Sequence, residues 1–393
     1  MRAWVQFVAI GVGVVAVLAV GAGCGSVDRS RQDTSAYRAQ EQRLKSTIGQ
    51  EPGNGSALRD LGEIYLRTGR LSKAYGTLKD AYARTPEDPK TLFYLGLAAE
   101  SVGKRSSAQE LYRRYRQVPD SSVYRPWMRG RSLWLTQEAI RRTTRESLAE
   151  GTVRRRPVAD RTVAVLPFAC RSAGLSDPND HLFGETVDEA DIGQGLAAVV
   201  AHDLKQIRGI RPVSGGKVRA LLQEVAPEQT AVSDPGSVPH VGRLLGAGHI
   251  VGGECGRTDD GRLRLSMTVA KTTGGVLSGI GDRHGAPTDL FRLQSGLTVE
   301  IATAIGATLT SDERTAVADT PTDHLGAFQA YGRGLLAQSR NRFDAALTHF
   351  RRAQSLDPVF DASRRTLEQA RALDKASGSW KSVLHRTQDI RPE

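Results

Sequence analysis

A pattern of small and large residues recurs with a fixed period of 34 positions near the start of this 393-residue chain. It occurs first at Leu58, Leu61, Gly62, Tyr65, Ala74, Leu78, Ala81 and Pro86, and again at Leu92, Leu95, Gly96, Ala99, Ala108, Tyr112 and Tyr115. This period is typical of a solenoid of paired helices. The small residues are expected where the helices of a pair come closest, and the large ones between pairs. The pattern therefore predicts a helical domain over residues 36–150.

These repeated residues resemble the tetratricopeptide repeat. A third copy is found near the C-terminus, at Gly334, Ala337, Ala346, Phe350, Ala353 and Pro358, which predicts a further repeat over residues 322–376 and a tail over 377–393. Since a repeat cannot bury its apolar face alone, we expect Tyr37–Ile48 and Arg131–Leu148 to cover the N-terminal pair. The resemblance implies a protein-binding scaffold. The alternative is two ordinary helical hairpins.

The same resemblance indicates a peptide-binding groove, because first-helix positions line the groove in tetratricopeptide repeats. Here those positions hold Arg59, Glu63, Arg67, Lys90, Phe93 and Leu97. An arginine can donate two parallel hydrogen bonds to a carboxylate, and the two apolar residues would offer a shelf beside it. We expect an extended peptide with an acidic or free C-terminal end. The alternative is a solvated charged surface.

The N-terminus has the pattern of an export signal over residues 1–23. Arg2 precedes a largely apolar run from Trp4 to Val20 that carries no further charge. The small residues at its end stop at Cys24, which resembles the lipobox of bacterial lipoproteins and implies lipidation of that cysteine. Two alternatives remain open, namely signal cleavage after Gly21 or Gly23 and an uncleaved membrane anchor.

The residues after Cys24 are polar, so residues 24–35 are expected to form a lipidated tether. Gly25 follows the cysteine where the enterobacterial sorting pattern has Asp for inner-membrane retention. By that resemblance, the expected location is the cell envelope, with the lipid anchor in the outer membrane and the protein facing the periplasm.

Positive charge is concentrated in one segment of the chain. The net charge is +11, and residues 113–161 contain thirteen arginines and five carboxylates, which is +8 of that total. The segment could attract acidic lipid headgroups or an acidic partner, or it could be a solvated surface. Nucleic acid is disfavoured, because no stacking aromatics are interleaved with these arginines.

Residues 160–310 predict an α/β domain. Strand-like and helix-like patterns follow in the order β-α-β-α-α-β-β-β-α, which suggests one mixed sheet with helices packed on it. The runs 163–168, 192–196, 210–214 and 244–253 resemble the domain shared by TolB-like periplasmic proteins and the soluble core of the CsgG family. That resemblance implies an envelope protein that assembles with others. The predicted fold class is thus tetratricopeptide helical hairpins flanking a mixed-sheet α/β domain.

Two cysteines remain besides Cys24. Cys170 and Cys255 each lie at or near the end of a strand-like run, so they could pair across neighbouring strands in an oxidising compartment. Burial as two free thiols is the alternative.

No catalytic or metal-binding motif emerges from the sequence, and no cofactor is implied. The acidic segment 177–188 fails the EF-hand pattern, and Ser214-Gly215-Gly216-Lys217 lacks the other residues of a phosphate-binding loop. The sequence therefore predicts a non-catalytic scaffold whose partners are other envelope proteins or peptides, or further copies of this chain in a homo-oligomer. Alternatives are an accessory component of a CsgG or curli-type secretion apparatus and, without support, an enzyme acting on envelope polymers.

Overall fold

The computed structural model describes residues 24–153, 157–171, 189–225, 237–274 and 277–390. The chain divides into two compact units, one ending at Pro86 and the other beginning at Glu87. The two copies of the N-terminal repeat therefore belong to different units.

The described part of the first unit contains three helices, α1 (Cys24–Gln50), α2 (Gly55–Arg67) and α3 (Leu71–Arg84). The side chain of Asn54 caps α2 by accepting a hydrogen bond from the backbone N–H of Ala57, at 2.9 Å. Residues 24–35, which were expected to form a polar tether, are helical, since they lie within α1. No proline interrupts this segment, so the helix expected at Tyr37–Ile48 can extend towards the N-terminus.

The second unit begins with α4 (Pro89–Ser101), α5 (Arg105–Arg113) and α6 (Tyr124–Ala149). Asp88 caps α4 through the backbone N–H of Thr91, at 3.0 Å. The second helix of this repeat is short, because α5 has 9 residues where α3 has 14.

The α/β part follows in the element order expected from the sequence, with one additional short strand. Its elements are β1 (Ala159–Val165), β2 (Ala169–Arg171), α7 (Glu189–Gln206), β3 (Arg211–Pro212), α8 (Gly215–Leu222), α9 (Ser237–Leu245), β4 (Ala247–Arg257), β5 (Leu263–Lys271), β6 (Leu277–Gly285) and α10 (Leu290–Ala304). The sheet order is β3-β1-β4-β5-β6, with β2 paired to β4. Strands β3, β1 and β4 are parallel, whereas β5 and β6 continue antiparallel.

The two faces of this sheet carry different helices. Val163 and Val165 point into a core that includes α7 and α10, while the alternate residues Ala164 and Leu166 point into a core made with α8 and α9. This alternation is the period of two expected for a strand buried on both faces.

Five helices complete the described part of the chain, namely α11 (Ser311–Ala318), α12 (Leu325–Ser339), α13 (Phe343–Leu356), α14 (Asp361–Ala376) and α15 (Trp380–Arg386). The segment 377–393, expected to be a tail, thus contains a helix. The side chain of Ser379 caps α15 by accepting a hydrogen bond from the backbone N–H of Ser382. Val383 of this helix is fully buried, so the helix packs on the rest of the unit.

The three predicted hairpins share one packing joint. In each hairpin, a glycine of the first helix lies against a large side chain of the second helix, and the two residues are always the same number of positions apart. A Cβ atom on the glycine would overlap that side chain. The pairs are Gly62 with Leu78, Gly96 with Tyr112, and Gly334 with Phe350. The glycines therefore set the close approach of the two helices, as the repeat pattern predicts.

Candidate functional site

The predicted groove residues of the first repeat are already engaged in ion pairs. On α2, Arg67 pairs with Glu63 at 2.8 Å, and Arg59 pairs with Asp60 at 3.0 Å. The exposed fraction of the side chain is only 9% for Arg67, 17% for Glu63 and 19% for Arg59. A peptide carboxylate would have to compete with these intrahelical partners.

The apolar shelf expected from the second repeat is not open. Phe93 and Leu97 are fully buried, so the expectation that they line a groove is wrong in this structure. The ring of Phe93 lies 5.6 Å from that of Tyr124 and 6.1 Å from that of Trp127, both on α6. Helix α6 therefore occupies the place beside Phe93 where the peptide was expected. Lys90 lies over the ring of Tyr94, 5.8 Å from its centroid.

Helix α6 also packs against the C-terminal hairpins. A Cβ atom on Gly130 would overlap the carbonyl oxygen of Ala372 on α14, so glycine is required for this close contact. Through α6, the second repeat and the C-terminal helices form one continuous helical block within the second unit. Segments far apart in the sequence thus share one surface.

A buried polar network fixes this arrangement. Arg131 of α6 donates from Nε to Oε1 of Glu100 at 2.8 Å and from Nη2 to Oε2 at 2.5 Å. Its Nη1 donates to the carbonyl oxygens of Ala376 at 2.8 Å and Gly378 at 2.7 Å. The hydroxyl of Tyr112 donates to Glu100 at 2.9 Å, and burial, followed by the Glu100 charge, raises the pKa of Tyr112 well above its usual value. Arg131 therefore links α4, α6 and the chain after α14.

Above this network lies a pocket of about 420 Å³, which we call the Trp pocket. Its walls come from α5, α6 and the start of α15, and include Trp134, Trp380, Arg105, Gln109 and Glu138. Trp134 is half-buried, with its ring 6.3 Å from Phe343 and the Arg141 guanidinium 5.2 Å from its centroid. The pocket thus combines two tryptophans with several arginines, and these two residue types are enriched in the hot spots of protein interfaces.

Sequence reasoning did not find this pocket. The chain has four tryptophans, and two of them line it, so the rarity of the residue was the available signal. Trp134 and Trp380 come together only because α6 packs on the C-terminal helices, which no local pattern indicates.

Most of the positively charged segment 113–161 is engaged in ion pairs where the structure describes it. Paired arginines are Arg125, Arg129, Arg131, Arg141, Arg142 and Arg145. This pairing favours the interpretation of an ordinary charged surface over that of a dedicated anion-binding face.

The structure joins Cys170 and Cys255 in a disulfide between β2 and β4, where the two residues are register partners. Lipidation of Cys24 stays a prediction. Helix α1 begins at this residue, but its side chain lies outside the described part of the structure. The signal over residues 1–23 and the acidic segment 177–188 also lie outside the described residues.

Within the described residues, no group of acidic, cysteine or histidine side chains could hold a metal ion. None of the described helices has the length and apolar character needed to cross a membrane. Lys217, from the rejected phosphate-loop motif, donates to the carbonyl oxygen of Leu245 at 2.8 Å.

A comparison with protein-family models gives no match, and no curated protein is significantly similar in sequence. Among solved structures, the chain is similar to a tetratricopeptide repeat protein from Parabacteroides merdae, with 11% identity, 88% of this chain and 96% of that chain covered, and a TM-score of 0.26. It is also similar to yeast Tom70, with 12% identity, 92% and 68% coverage, and a TM-score of 0.23. Superpositions this loose do not establish the family of this chain.

Proposed function

We propose that this protein is a non-catalytic scaffold that binds other proteins through its helical block. The observation that carries the proposal is the Trp pocket, where α6 brings Trp134 and Trp380 together above the ion pair of Arg131 and Glu100. Trp134 is half-buried and already contacts Phe343 and Arg141, so its side chain loses less conformational freedom when a partner binds. Such pre-organised tryptophans dominate many protein interfaces.

More specifically, we propose that the protein is an exported lipoprotein of the cell envelope with tetratricopeptide hairpins and a TolB/CsgG-like domain. It rests on the sequence pattern up to Cys24, on the shared Gly-to-large-residue joints of the hairpins, and on the order of strands and helices in the α/β part. The oxidised pair Cys170 and Cys255 suits an exported protein.

Membrane attachment is tested by the mass of the mature protein extracted in detergent. We expect the N-terminus at Cys24 with added lipid, and release or incomplete processing of the Cys24→Ser variant. A mature N-terminus elsewhere would contradict the lipoprotein assignment.

Partner binding is tested by affinity purification from crosslinked membranes. The Trp134→Ala, Trp380→Ala variant should lose the partners that the wild type recovers. Val359→Ala is the matched control, because Val359 is 87% exposed elsewhere on the surface. Equal recovery by the folded double variant would refute the pocket as the binding site.

A second candidate is an accessory component of a CsgG-like secretion apparatus, which the order of the α/β elements favours. Ring-shaped oligomers in native mass spectrometry would support it, and a monomer at all concentrations would not.

A further inference from the structure

A second cavity, of about 260 Å³, lies at the carboxyl edge of the parallel strands. Strands β1 and β3 are parallel neighbours, yet α7 covers one face of the sheet and α8 covers the other. Where helices after adjacent parallel strands leave on opposite faces, a crevice opens between their connections, and this is the usual ligand site of open α/β sheets. The crevice is lined by Val165 at the end of β1 and Pro167 beyond it, and by Val213 and Ser214 after β3.

One charged side chain lies among the described residues that line the crevice. Among its described lining residues, Arg219 of α8 is the only cation and no carboxylate is present. No described side chain forms an ion pair or a hydrogen bond with Arg219. Burial lowers the pKa of this guanidinium, which has lost water without gaining a counter-charge among the described residues. A partly buried arginine with no partner among the described residues is costly for a fold unless something else pairs with it.

The surroundings of Arg219 suit a small anion. A Cβ atom on Gly215 would lie 3.0 Å from Nη1 of Arg219, so the guanidinium lies over the first turn of α8. The side chains of Gln194 on α7 and Gln369 on α14 line the same cavity, and so does Tyr331 on α12. The polar residues that line the cavity thus come both from the α/β part and from the C-terminal helices.

The remaining wall is apolar. Ala197, Ala198 and Ala201 form one side of the cavity, and Leu335 lies on another. These short side chains leave room for a few carbon atoms, and the volume is below the usual range for drug-sized ligands.

We propose that this crevice binds the carboxylate of a small organic acid, with Arg219 as its ionic partner and the alanine wall around its hydrocarbon part. The charge decides between anions. One guanidinium neutralises one carboxylate, whereas a dianionic phosphate would leave excess negative charge in a site partly shielded from water. The bound acid would contact both the sheet and the C-terminal hairpin, and so stabilise their packing.

The test uses the full-length protein and butyrate as the probe, with calorimetric titration and thermal unfolding as readouts. Butyrate should bind and raise the Tm, whereas 1-butanol should not and inorganic phosphate should bind more weakly. In wild type, the methyl signals of Ala198 and Ala201 should shift in NMR spectra on adding butyrate.

The Arg219→Gln variant separates a binding role from a structural one. It should weaken butyrate binding by about 10- to 100-fold, yet unfold at the same or a higher temperature without ligand, because the removed charge has no partner among the described residues. Arg314→Gln, at an exposed position on α11, is the matched control and should change neither value. Ala198→Phe should fill the crevice and abolish binding while leaving Arg219 in place.

Absence of butyrate binding to the wild type would overturn the proposal. So would unchanged affinity in Arg219→Gln, or phosphate binding tighter than butyrate.

Discussion

Arg131 and Glu100 form a bidentate ion pair in which both side chains are almost fully buried, at 2% and 6% exposure. The remaining donor nitrogen of Arg131 reaches the backbone carbonyls of Ala376, the last residue of α14, and of Gly378, so each nitrogen of the guanidinium donates a hydrogen bond. This relationship joins the second repeat to the C-terminal helices and forms the floor of the Trp pocket.

Removing Arg131 should strongly destabilise the second unit. Arg131→Met leaves Glu100 buried without its partner, which costs about 3–5 kcal/mol of unfolding free energy. Urea unfolding followed by circular dichroism measures the change. Arg129→Met is the control, because its pair with Glu368 is 3.5 Å long and half-exposed, and should cost less than ~1 kcal/mol. Similar losses in the two variants would show that the network does not hold the block together.

The glycine at the crossing of α6 and α14 gives an independent test. Gly130→Ala would push a methyl group into the Ala372 carbonyl, which should cost about 1–3 kcal/mol or more. Gly296→Ala, on α10 of the same unit, meets only the flexible end of Arg283 at 3.4 Å and should gain up to about 1 kcal/mol from helix propensity. An unaffected Gly130→Ala variant would contradict the close packing.

Stability should fall as the pH rises towards neutrality, because of Asp203. Burial raises the pKa of Asp203 from 3.8 to about 7, against the opposing effect of the hydrogen bond from Gln294. The folded state therefore keeps the proton while the unfolded chain releases it, so the unfolding free energy decreases between pH ~4 and about 7, by at most about 4 kcal/mol.

Asp203→Asn should remove that slope and stabilise the protein at pH 8, with little change at pH 4. The exposed Asp312→Asn control should keep the slope of the wild type. Parallel curves for wild type and Asp203→Asn would mean that Asp203 is ionised in the fold.

The disulfide closes a separation of 85 residues, so its loss should lower the unfolding free energy by about 2–5 kcal/mol. A reducing agent should destabilise the wild type by that amount and leave the Cys170→Ser, Cys255→Ser variant unchanged. Alkylation of both cysteines in unreduced protein would contradict the pairing.

Local patterns predicted the parts of the fold that depend on nearby residues. The hairpin joints at Gly62, Gly96 and Gly334 follow from a period readable in the sequence, and the strand at Val163–Val165 follows from an unbroken apolar run. The helix α15 was missed because a few apolar residues in a short polar segment give little periodic signal.

The site depended on contacts that local patterns do not contain. The burial of Phe93 results from the rings of Tyr124 and Trp127, which come a loop and a helix later in the chain. The role of Arg131 requires knowing that residues near Gly378 fold back onto α6. A mid-helix arginine looks like any solvated charge until that tertiary contact is known.

The central claim, that the Trp pocket binds a protein partner, is tested most directly by photo-crosslinking in the producing cell. A photoreactive amino acid replaces Ser106, which is exposed at the rim of the pocket, or Val359 as the distant control. We expect a discrete adduct from position 106 that is absent from position 359 and disappears in the Trp134→Ala, Trp380→Ala background. No adduct at position 106, or the same adducts from both positions, would contradict the claim.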